Sequence, residues 1–240
     1  MSIQHQKVTK QSATKQQVLD LIEQLGVGNA IPSERQLSAD LGVSRLTLRA
    51  ALDDLAREGY LVRRRGSGTY VQHPKIAQEL TMTSFSEDMR RRGMTPGSRT
   101  LSMEKEPAGA RLGRLLNVSP SEQILVIKRL RLADGETMAI ETLHLPELLV
   151  PGLQAKDLTG SFYELYEERY GIVIVRGTQA IEPTVTNGAE SEALGVPLHS
   201  PAFLFERSSY DQHSRTVEFV QSVYRGDRYR IVTELSRPQA

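Results

Sequence analysis

The stretch from Pro32 to Gly59 constrains the fold most, because it predicts two short helices with a tight turn between them. Ser33 has a side chain suited to cap the first helix, and Gly42 is suited to end it. Ser44 can cap the second helix, whose leucines recur on one face at three- and four-residue spacing. Two capped helices joined so closely are typical of a helix-turn-helix.

The second helix also carries two arginines away from its apolar stripe. Arg45 and Arg49 are four residues apart, so their side chains project together from one face. Arginines near the start of such a helix can reach guanine edges in the major groove of DNA. The residues alone leave open a second interpretation, a protein-interaction module in which these charges form a solvated face.

A basic hairpin is predicted directly after these helices. Residues 60–64 and 69–72 have the pattern of short strands, and they flank a glycine-rich turn at Gly66-Ser67-Gly68. Three consecutive arginines, Arg63 to Arg65, lie at its base. Behind a helix-turn-helix such a hairpin is the wing of a winged helix, and its glycines let the backbone approach DNA closely.

Charge is distributed unevenly along the chain. Residues 1–75 hold eleven Lys or Arg and seven Asp or Glu, a balance of +4, whereas residues 76–240 hold nineteen and twenty-two, a balance of −3. This asymmetry predicts two domains with different partners. A polyanion such as DNA is the natural partner of the basic domain.

Composition excludes several other classes of protein. The chain has no cysteine, so disulfides and cysteine metal sites are excluded and a reducing cytoplasm is the expected location. The five histidines are scattered without metal-binding spacing, and no apolar run approaches the ~20 residues of a membrane helix. The N-terminus lacks the apolar region of a signal peptide. We therefore expect no cofactor, no metal site and no membrane association.

Residues 32–71, PSERQLSADLGVSRLTLRAALDDLAREGYLVRRRGSGTYV, resemble the winged-helix signature of the GntR superfamily of bacterial regulators. The resemblance covers about residues 15–73, with one departure, the absence of the usual Pro-Gly pair before this element. It implies that both helices of the helix-turn-helix and the wing contact DNA. The implied contact residues are Arg35, Ser44, Arg45, Thr47, Arg49, Arg64, Arg65, Gly66, Ser67 and Gly68.

The rest of the chain predicts a second domain of mixed structure. From Ser98 onward strands and helices alternate, and short turns join several strands, so a mostly antiparallel sheet in an α+β domain is expected. The segment around Arg129 is weakly repeated 78 residues later around Arg207, which suggests two similar helix–hairpin units. The predicted boundaries are a flexible arm at 1–14, a winged helix at 15–73, a linker at 74–82 and a second domain at 83–236, which the resemblance described below implies to be an effector-binding and dimerisation domain.

One hairpin of this second domain, at residues 127–145, places charges inside apolar strands. Arg129 and Arg131 are two residues apart and so face the same way, while Glu141 lies on the partner strand. Two such arginines suit a phosphate or carboxylate, and a carboxylate suits sugar hydroxyls. The alternative is an ion pair on a solvent-facing surface, which contributes little to stability. Spacing alone does not decide between the two.

Four segments carry a second resemblance, over about residues 80–236: TSFSEDMRRRGMTP, KRLRLADGETMAIET, LTGSFYELYEERYG and VEFVQSVYRGDRYR. They resemble the effector domain of the HutC branch of the GntR superfamily, called a UTRA domain, whose fold is shared with chorismate lyase. Among such regulators they are most similar to those responding to N-acetylglucosamine 6-phosphate or glucosamine 6-phosphate. The resemblance implies phosphate binding by Ser86, Arg129, Arg131, Ser161 and Tyr163, and sugar binding by Phe85, Glu141, Glu218 and Tyr224.

The combined expectation is a ligand-responsive, DNA-binding transcription regulator, a repressor of amino-sugar uptake and catabolism genes. A homodimer would match two winged helices to a palindromic double-stranded operator. Ligand contact at Ser86 would act on the connection between the domains. Three alternatives stay open: a regulator sensing another sugar phosphate or organic anion, a regulator without a small ligand, and an enzyme with a chorismate-lyase-like fold. No nucleophile–base pair or phosphate-binding loop stands out in the sequence, which argues against the enzyme.

Overall fold

The computed structural model describes residues 10–64, 66–72, 74–79 and 81–233. The chain divides after Ile76 into two compact units, and this point lies inside the predicted linker at 74–82. Each unit has its own hydrophobic core, so each is described separately. Within the described part of the chain, no helix is long and apolar enough to cross a membrane.

The N-terminal unit contains three helices and a hairpin. Its elements are α1 (Lys10–Leu25), α2 (Glu34–Asp40), α3 (Arg45–Glu58), β1 (Leu61–Arg64) and β2 (Gly68–Val71). The two strands pair antiparallel, and residues of all three helices pack with Leu61 and Val71 of the hairpin in one core. Ser33 and Ser44 cap α2 and α3 as predicted. The winged helix-turn-helix is therefore present in its expected order.

Helix α1 begins at Lys10, so the prediction of a flexible arm at 1–14 is wrong for residues 10–14. Thr14 is buried, and its hydroxyl donates to the carbonyl of Lys10 at 2.8 Å. Gln11 donates to Asp54 of α3 at 2.8 Å. These contacts stabilise a first turn that has no apolar periodicity of its own, which is why the sequence pattern misses it. Residues 1–9 of the predicted arm lie outside the described residues.

The C-terminal unit is built around a six-stranded sheet. Its strands are β4 (Pro96–Pro107), β5 (Gln123–Ala133), β6 (Glu136–Pro146), β7 (Ile174–Val185), β8 (Pro201–Asp211) and β9 (Thr216–Arg225). They lie in the order β4-β5-β6-β9-β8-β7, and every neighbouring pair is antiparallel, which confirms the predicted α+β domain. Asp134 and Gly135 connect β5 to β6 with φ of 51° and 82°, as a two-residue type I′ turn requires.

Helices cover both faces of this sheet. They are α4 (Phe85–Arg91), α5 (Gly109–Leu116), α6 (Phe162–Tyr170) and α7 (Gly188–Leu194), with short 3-10 helices at Glu147–Leu149 and Ala155–Thr159. On one face α5 packs against Ile124 and α7 against Leu130. On the other, α6 packs against Ile127. Because strand side chains alternate between faces, Arg129 and Arg131 share the face that α6 covers.

The order of elements in this unit has an internal symmetry that matches the weak sequence repeat. The succession β4-α5-β5-β6 recurs as β7-α7-β8-β9, and β6 and β9 are neighbours at the centre of the sheet. Arg129 on β5 and Arg207 on β8 therefore lie on corresponding strands. The two helix–hairpin units suggested by the sequence are present, and each has one additional outer strand.

A separate two-stranded sheet pairs the two ends of the C-terminal region. Strand β3 (Ile76–Glu79) lies beside β10 (Tyr229–Val232). The predicted linker at 74–82 is therefore partly a strand, and that prediction is corrected here. Its partner is far along the sequence, so local pattern could not reveal the pairing. Residues 234–236 of the predicted second domain lie outside the described residues.

Candidate anion pocket and DNA-facing surface

The charged residues of the β5–β6 hairpin are buried. Arg129 and Arg131 are each 2% exposed, and Glu141 is 7% exposed. Arg129 and Glu141 are directly opposite in the sheet register, and both Nε (at 3.1 Å) and Nη2 of Arg129 donate to Oε1 of Glu141. The interpretation as a solvent-facing ion pair is therefore wrong. Charges buried this deeply are costly unless they are well compensated, which favours a pocket.

Three N–H donors of these arginines have no hydrogen-bond partner among the described residues. They are Nη1 of Arg129 and both Nε and Nη1 of Arg131, and all three are buried. A buried donor left unpaired costs about 1–3 kcal/mol, and more when it is charged. Both arginines line one small cavity. Two guanidinium groups with unpaired donors at one cavity match the acceptor oxygens of a phosphate or carboxylate.

Helices α4 and α6 hold these guanidinium groups in place. The guanidinium carbon of Arg131 lies 4.7 Å from the ring centre of Phe85, and that of Arg129 lies 5.5 Å from the ring centre of Phe162. Ser86 accepts a hydrogen bond from Nη2 of Arg131 at 3.0 Å. Such cation–π contacts are attractive and fix the orientation of the planar groups. The structure thus brings Phe85 and Ser86 to the arginine pair.

Tyr163 lines the same cavity as the arginine pair, and its hydroxyl belongs to a second group of polar residues there. It donates to Oε1 of Glu218 at 2.7 Å and accepts from Nη2 of Arg207 at 2.8 Å. Ser209 donates to the same oxygen of Glu218 at 2.7 Å. The proton of the Tyr163 hydroxyl is therefore committed to a carboxylate. The phosphate contact predicted for Tyr163 stays a prediction.

Ser161 is the N-cap of α6. Its hydroxyl accepts from the backbone N–H of Glu164 at 3.4 Å. Ser161 lines a neighbouring cavity and not the one between Arg129 and Arg131. Of the five residues predicted for phosphate binding, the structure groups Ser86 and Tyr163 with the two arginines, and Ser161 lines the neighbouring cavity.

A second cavity adjoins the first. Phe85, Glu141 and Arg207 line both of them. The second cavity adds the side chains of Asp88, Phe205, Ser222 and Tyr224. The pocket therefore has a cationic end at the arginine pair and a second end rich in carboxylates, hydroxyls and aromatic rings. All four residues predicted for the sugar line one or both of these cavities.

Burial and neighbouring charges shift the pKa values of these groups. Burial alone raises the pKa of Glu141, but Arg129 and Arg131 outweigh it and hold that pKa below its usual value. Burial raises the pKa of Glu218, and Arg207 offsets this only in part. Burial lowers the pKa of Arg131 to about 10, with Glu141 opposing the shift and Arg129 adding to it. Arg131 therefore keeps its charge at neutral pH, where it repels Arg129.

Two further residues belong to this network although sequence reasoning did not assign them to the site. Arg207 contacts Tyr163, and Ser209 contacts Glu218. The weak repeat aligns Arg207 with Arg129, and that alignment is the signal that could have identified it. No comparable signal marks Ser209 in the sequence.

In the N-terminal unit, the predicted DNA-contacting residues of α2 and α3 lie at the surface. Arg35, Arg45 and Arg49 are all exposed. The hydroxyl of Ser44 accepts from the N–H of Thr47 at 3.1 Å and lies 2.8 Å from the Thr47 hydroxyl. Both residues are therefore fixed at the N-terminus of α3, where free N–H groups favour an anion such as a DNA phosphate.

The wing residues are ordered by contacts within the hairpin. The guanidinium carbon of Arg64 lies 4.4 Å from the ring centre of Tyr70 on β2. The hydroxyl of Ser67 is 2.5 Å from the hydroxyl of Tyr70. Gly66 and Gly68 have φ of 75° and 121°, a region that glycine adopts without strain. Arg65, the remaining predicted residue, lies outside the described residues.

Two family profiles match the chain. The profile for bacterial regulatory proteins of the gntR family matches residues 10–71, and the profile for the UTRA domain matches residues 91–230. The HTH-type transcriptional repressor NagR of Bacillus subtilis (strain 168) is 39% identical over 86% of this chain and 86% of its own. The mannosyl-D-glycerate transport/metabolism system repressor MngR of Escherichia coli (strain K12) is 30% identical over 86% of this chain and 87% of its own.

A solved structure extends the similarity to both units. The crystal structure of PhnF from Mycobacterium smegmatis matches with a TM-score of 0.78 and 29% identity, covering 94% of this chain and 100% of that chain. The transcriptional repressor PhnF of Mycolicibacterium smegmatis is 31% identical over 92% of this chain and 91% of its own. The similarity therefore includes the winged helix and the domain that holds the pocket.

Proposed function

Because this chain belongs to the gntR family of bacterial regulatory proteins, in the HutC-type group that carries a UTRA domain, we propose that its arginine pocket senses a small phosphorylated sugar. The chain is a DNA-binding transcriptional repressor and not an enzyme, since it matches transcription regulators over most of its length. The proposal concerns the signal to which the repressor responds. Binding of that ligand releases the repressor from its operator.

The observation that carries this proposal is the set of three buried donors on Arg129 and Arg131 that have no partner among the described residues. A phosphoryl group carries about −1.5 to −2 charge at neutral pH and offers three acceptor oxygens. It can pair with all three donors at once and relieve the repulsion between the arginines. Glu141 pairs with Arg129 but leaves these donors unpaired, so an external anion is still needed.

The second end of the pocket supports a sugar as the rest of the ligand. Glu141 lines both cavities and Glu218 lines the arginine cavity; both accept hydrogen bonds, and sugar hydroxyls donate them. Tyr224 adds an aromatic ring at the second cavity. An amino-sugar phosphate, N-acetylglucosamine 6-phosphate or glucosamine 6-phosphate, combines both requirements. The regulated genes are then those of amino-sugar uptake and catabolism, in line with the resemblance of the pocket segments to regulators of that kind.

A different sugar phosphate or an organic anion is the second candidate ligand. MngR, which is 30% identical, is named for the mannosyl-D-glycerate system, and mannosyl-D-glycerate joins a sugar to a carboxylate. A carboxylate can also pair with arginine. It has one oxygen fewer than a phosphoryl group and less charge, so it satisfies the three donors less well. This difference favours the phosphate.

On the DNA side we propose a cytoplasmic homodimer on a palindromic operator. Two-fold symmetry of the protein then matches that of the DNA, with Arg45 and Arg49 at base edges and Arg64 at the backbone. The ligand releases DNA only if it binds better to the arrangement that cannot hold the operator. Ser86 is the proposed link, because it bonds Arg131 and lies on α4, the first helix of the second unit.

A gel-shift experiment tests the proposal. The full-length repressor is bound to the DNA upstream of its own gene and titrated with N-acetylglucosamine 6-phosphate, glucosamine 6-phosphate, mannosyl-D-glycerate as a carboxylated sugar, N-acetylglucosamine or inorganic phosphate. We expect a sugar phosphate to release the DNA at a concentration at least ~100-fold lower than N-acetylglucosamine or inorganic phosphate requires. Each of these two smaller compounds leaves one end of the pocket unpaired. Release by a carboxylated sugar alone would favour the second candidate. An operator complex insensitive to every sugar phosphate would refute the proposal.

A further inference from the structure

A buried network that lines the arginine cavity joins β8, β9 and α6. Arg207 on β8 and Glu218 on β9 are connected through Tyr163 of α6. The Tyr163 hydroxyl accepts from Nη2 of Arg207 at 2.8 Å and donates to Oε1 of Glu218 at 2.7 Å. Ser209 donates to the same Oε1 at 2.7 Å. The network therefore uses one nitrogen of the guanidinium group and one oxygen of the carboxylate.

Two atoms of this network remain without a hydrogen-bond partner among the described residues. One is a donor, Nε of Arg207, and the other is an acceptor, Oε2 of Glu218, and both are buried. Arg207 and Glu218 line the same cavity as Arg129 and Arg131. Buried polar atoms in native proteins are nearly always hydrogen-bonded. A ligand in this cavity is therefore expected to pair with both atoms.

The network cannot supply the missing pairs itself. Burial and the charge of Glu218 raise the pKa of Tyr163 well above its usual value, so the phenol stays protonated and keeps donating to Oε1. Burial lowers the pKa of Arg207, but acidic neighbours such as Glu218 outweigh it and raise that pKa, so the guanidinium group stays charged. Tyr163 and Ser209 both donate to Oε1 of Glu218, and no described residue donates to Oε2, so the donor for Oε2 has to come from the ligand.

Ligand groups differ in their ability to pair with a donor and an acceptor together. A phosphate oxygen accepts from Arg207 but is repelled by Glu218, and an ammonium group donates to Glu218 but is repelled by Arg207. A hydroxyl group both donates and accepts. We infer that Arg207 and Glu218 together recognise one hydroxyl group of the ligand and so set the specificity of the pocket for its sugar. This inference rests on the proposed sugar-phosphate ligand and adds Arg207 to the residues that contact it.

The first test needs no variant. Isothermal titration calorimetry measures the affinity of the full-length repressor for N-acetylglucosamine 6-phosphate and for its monodeoxy analogues at C1, C3 and C4. Removing a hydroxyl that pairs with two buried groups leaves both unsatisfied, so one analogue should bind at least ~100-fold more weakly than the parent. If all three analogues bind within about threefold of the parent, the inference is wrong, because no hydroxyl is then recognised in this way.

Two variants assign the effect to Arg207. Arg207→Met removes the Nε donor, and Arg207→Lys keeps the charge without a donor at that position. In each, the parent sugar phosphate should bind at least ~10-fold more weakly, and the penalty for the sensitive deoxy analogue should shrink below ~10-fold. Arg99→Met serves as the matched control, because Arg99 is exposed on β4 and does not line the pocket. Circular dichroism checks that each variant is folded.

Inorganic phosphate distinguishes the two ends of the pocket. Its affinity should stay within about threefold of wild type in the Arg207 variants, since Arg129 and Arg131 are intact. A parallel loss of phosphate and sugar-phosphate affinity would place Arg207 at the anion end and refute the inference. Failure of the proposed function gives a different result, the absence of sugar-phosphate binding to the wild-type protein. If the wild-type protein binds the sugar phosphate and no deoxy analogue binds more weakly, only the inference about hydroxyl recognition is refuted, and the proposed function stands.

Discussion

Arginine is used in two different ways in the two units of this protein. In the N-terminal unit Arg35, Arg45 and Arg49 are exposed on helix surfaces. In the C-terminal unit Arg129 and Arg131 are each 2% exposed, and each stacks on a phenylalanine ring. Exposed arginines suit a polyanion, which they bind through many contacts that salt weakens. Buried arginines suit one small anion, and the fold itself depends on how they are paired.

The largest expected effect is on the free energy of unfolding, which should depend on the buried arginines and hardly on the exposed ones. Arg129→Gln leaves Glu141 buried without its ionic partner, which should lower the free energy of unfolding by about 3–5 kcal/mol. Arg45→Gln, the exposed counterpart, should change it by less than about 0.5 kcal/mol. Urea unfolding of the full-length protein measures both. The double variant Arg129→Gln, Glu141→Gln should recover part of the loss, and equal effects of the two single variants would break the comparison.

The second prediction separates the buried from the exposed arginines by the molecule that each group binds. Arg131→Gln removes two of the three unpaired donors and should weaken N-acetylglucosamine 6-phosphate binding at least ~100-fold, about 2.7 kcal/mol. Operator affinity without ligand should not change. Calorimetry and fluorescence anisotropy measure the two affinities. Arg99→Gln is the control, since Arg99 is an exposed arginine on β4 that does not line the pocket. Loss of operator binding in Arg131→Gln would contradict the division of roles.

The third effect is the converse of the second. Arg45→Gln should weaken operator binding by about 1–3 kcal/mol, the range expected for a bidentate contact to a base. Affinity for the sugar phosphate should equal that of the wild type, as measured by calorimetry. An Arg45→Gln variant that binds operator normally would remove Arg45 from the DNA-contacting set.

The smallest effect concerns pH. The pKa of Glu141 is held below its usual value of 4.5, so its charge stabilises the folded state above that pH, and this contribution is lost as pH falls through the lowered pKa. Glu141→Gln should therefore destabilise the protein at pH 7, and its difference from wild type should narrow below pH 4.5. Urea unfolding across this pH range measures the change. If the difference in free energy of unfolding between wild type and Glu141→Gln widens as pH falls, the effect of burial on the pKa of Glu141 outweighs that of the arginines.

Local features of the sequence predict the parts of the site that lie on one hairpin. Arg129, Arg131 and Glu141 are connected by strand alternation and one short turn, so their shared face follows from spacing alone. The contact between Tyr163 and Glu218 is different, because it joins α6 to a strand that follows much later in the chain. It depends on the order of strands in the sheet, which spacing does not determine.

The difference between local spacing and long-range contacts also explains why the start of α1 and strand β3 were predicted wrongly. Helix α1 starts early because Gln11 and Lys15 bond to residues of α3, and such long-range partners leave no periodic signal. Strand β3 exists because it lies beside β10, so its local sequence resembles a linker. The burial of Glu141 likewise required the structure, since alternation assigns a face without telling which helix covers it.

The internal symmetry of the sheet has a consequence for how such repressors can diverge. Arg129 and Arg131 belong to its first half, whereas Arg207 and Glu218 belong to its second half. The cavity lies where the halves meet, at β6 and β9. Under the proposed sugar-phosphate function, substitutions in the second half would exchange one sugar for another while Arg129 and Arg131 in the first half still bind the phosphate. The proposal therefore predicts that new inducers become accessible by changing one half of the sheet at a time.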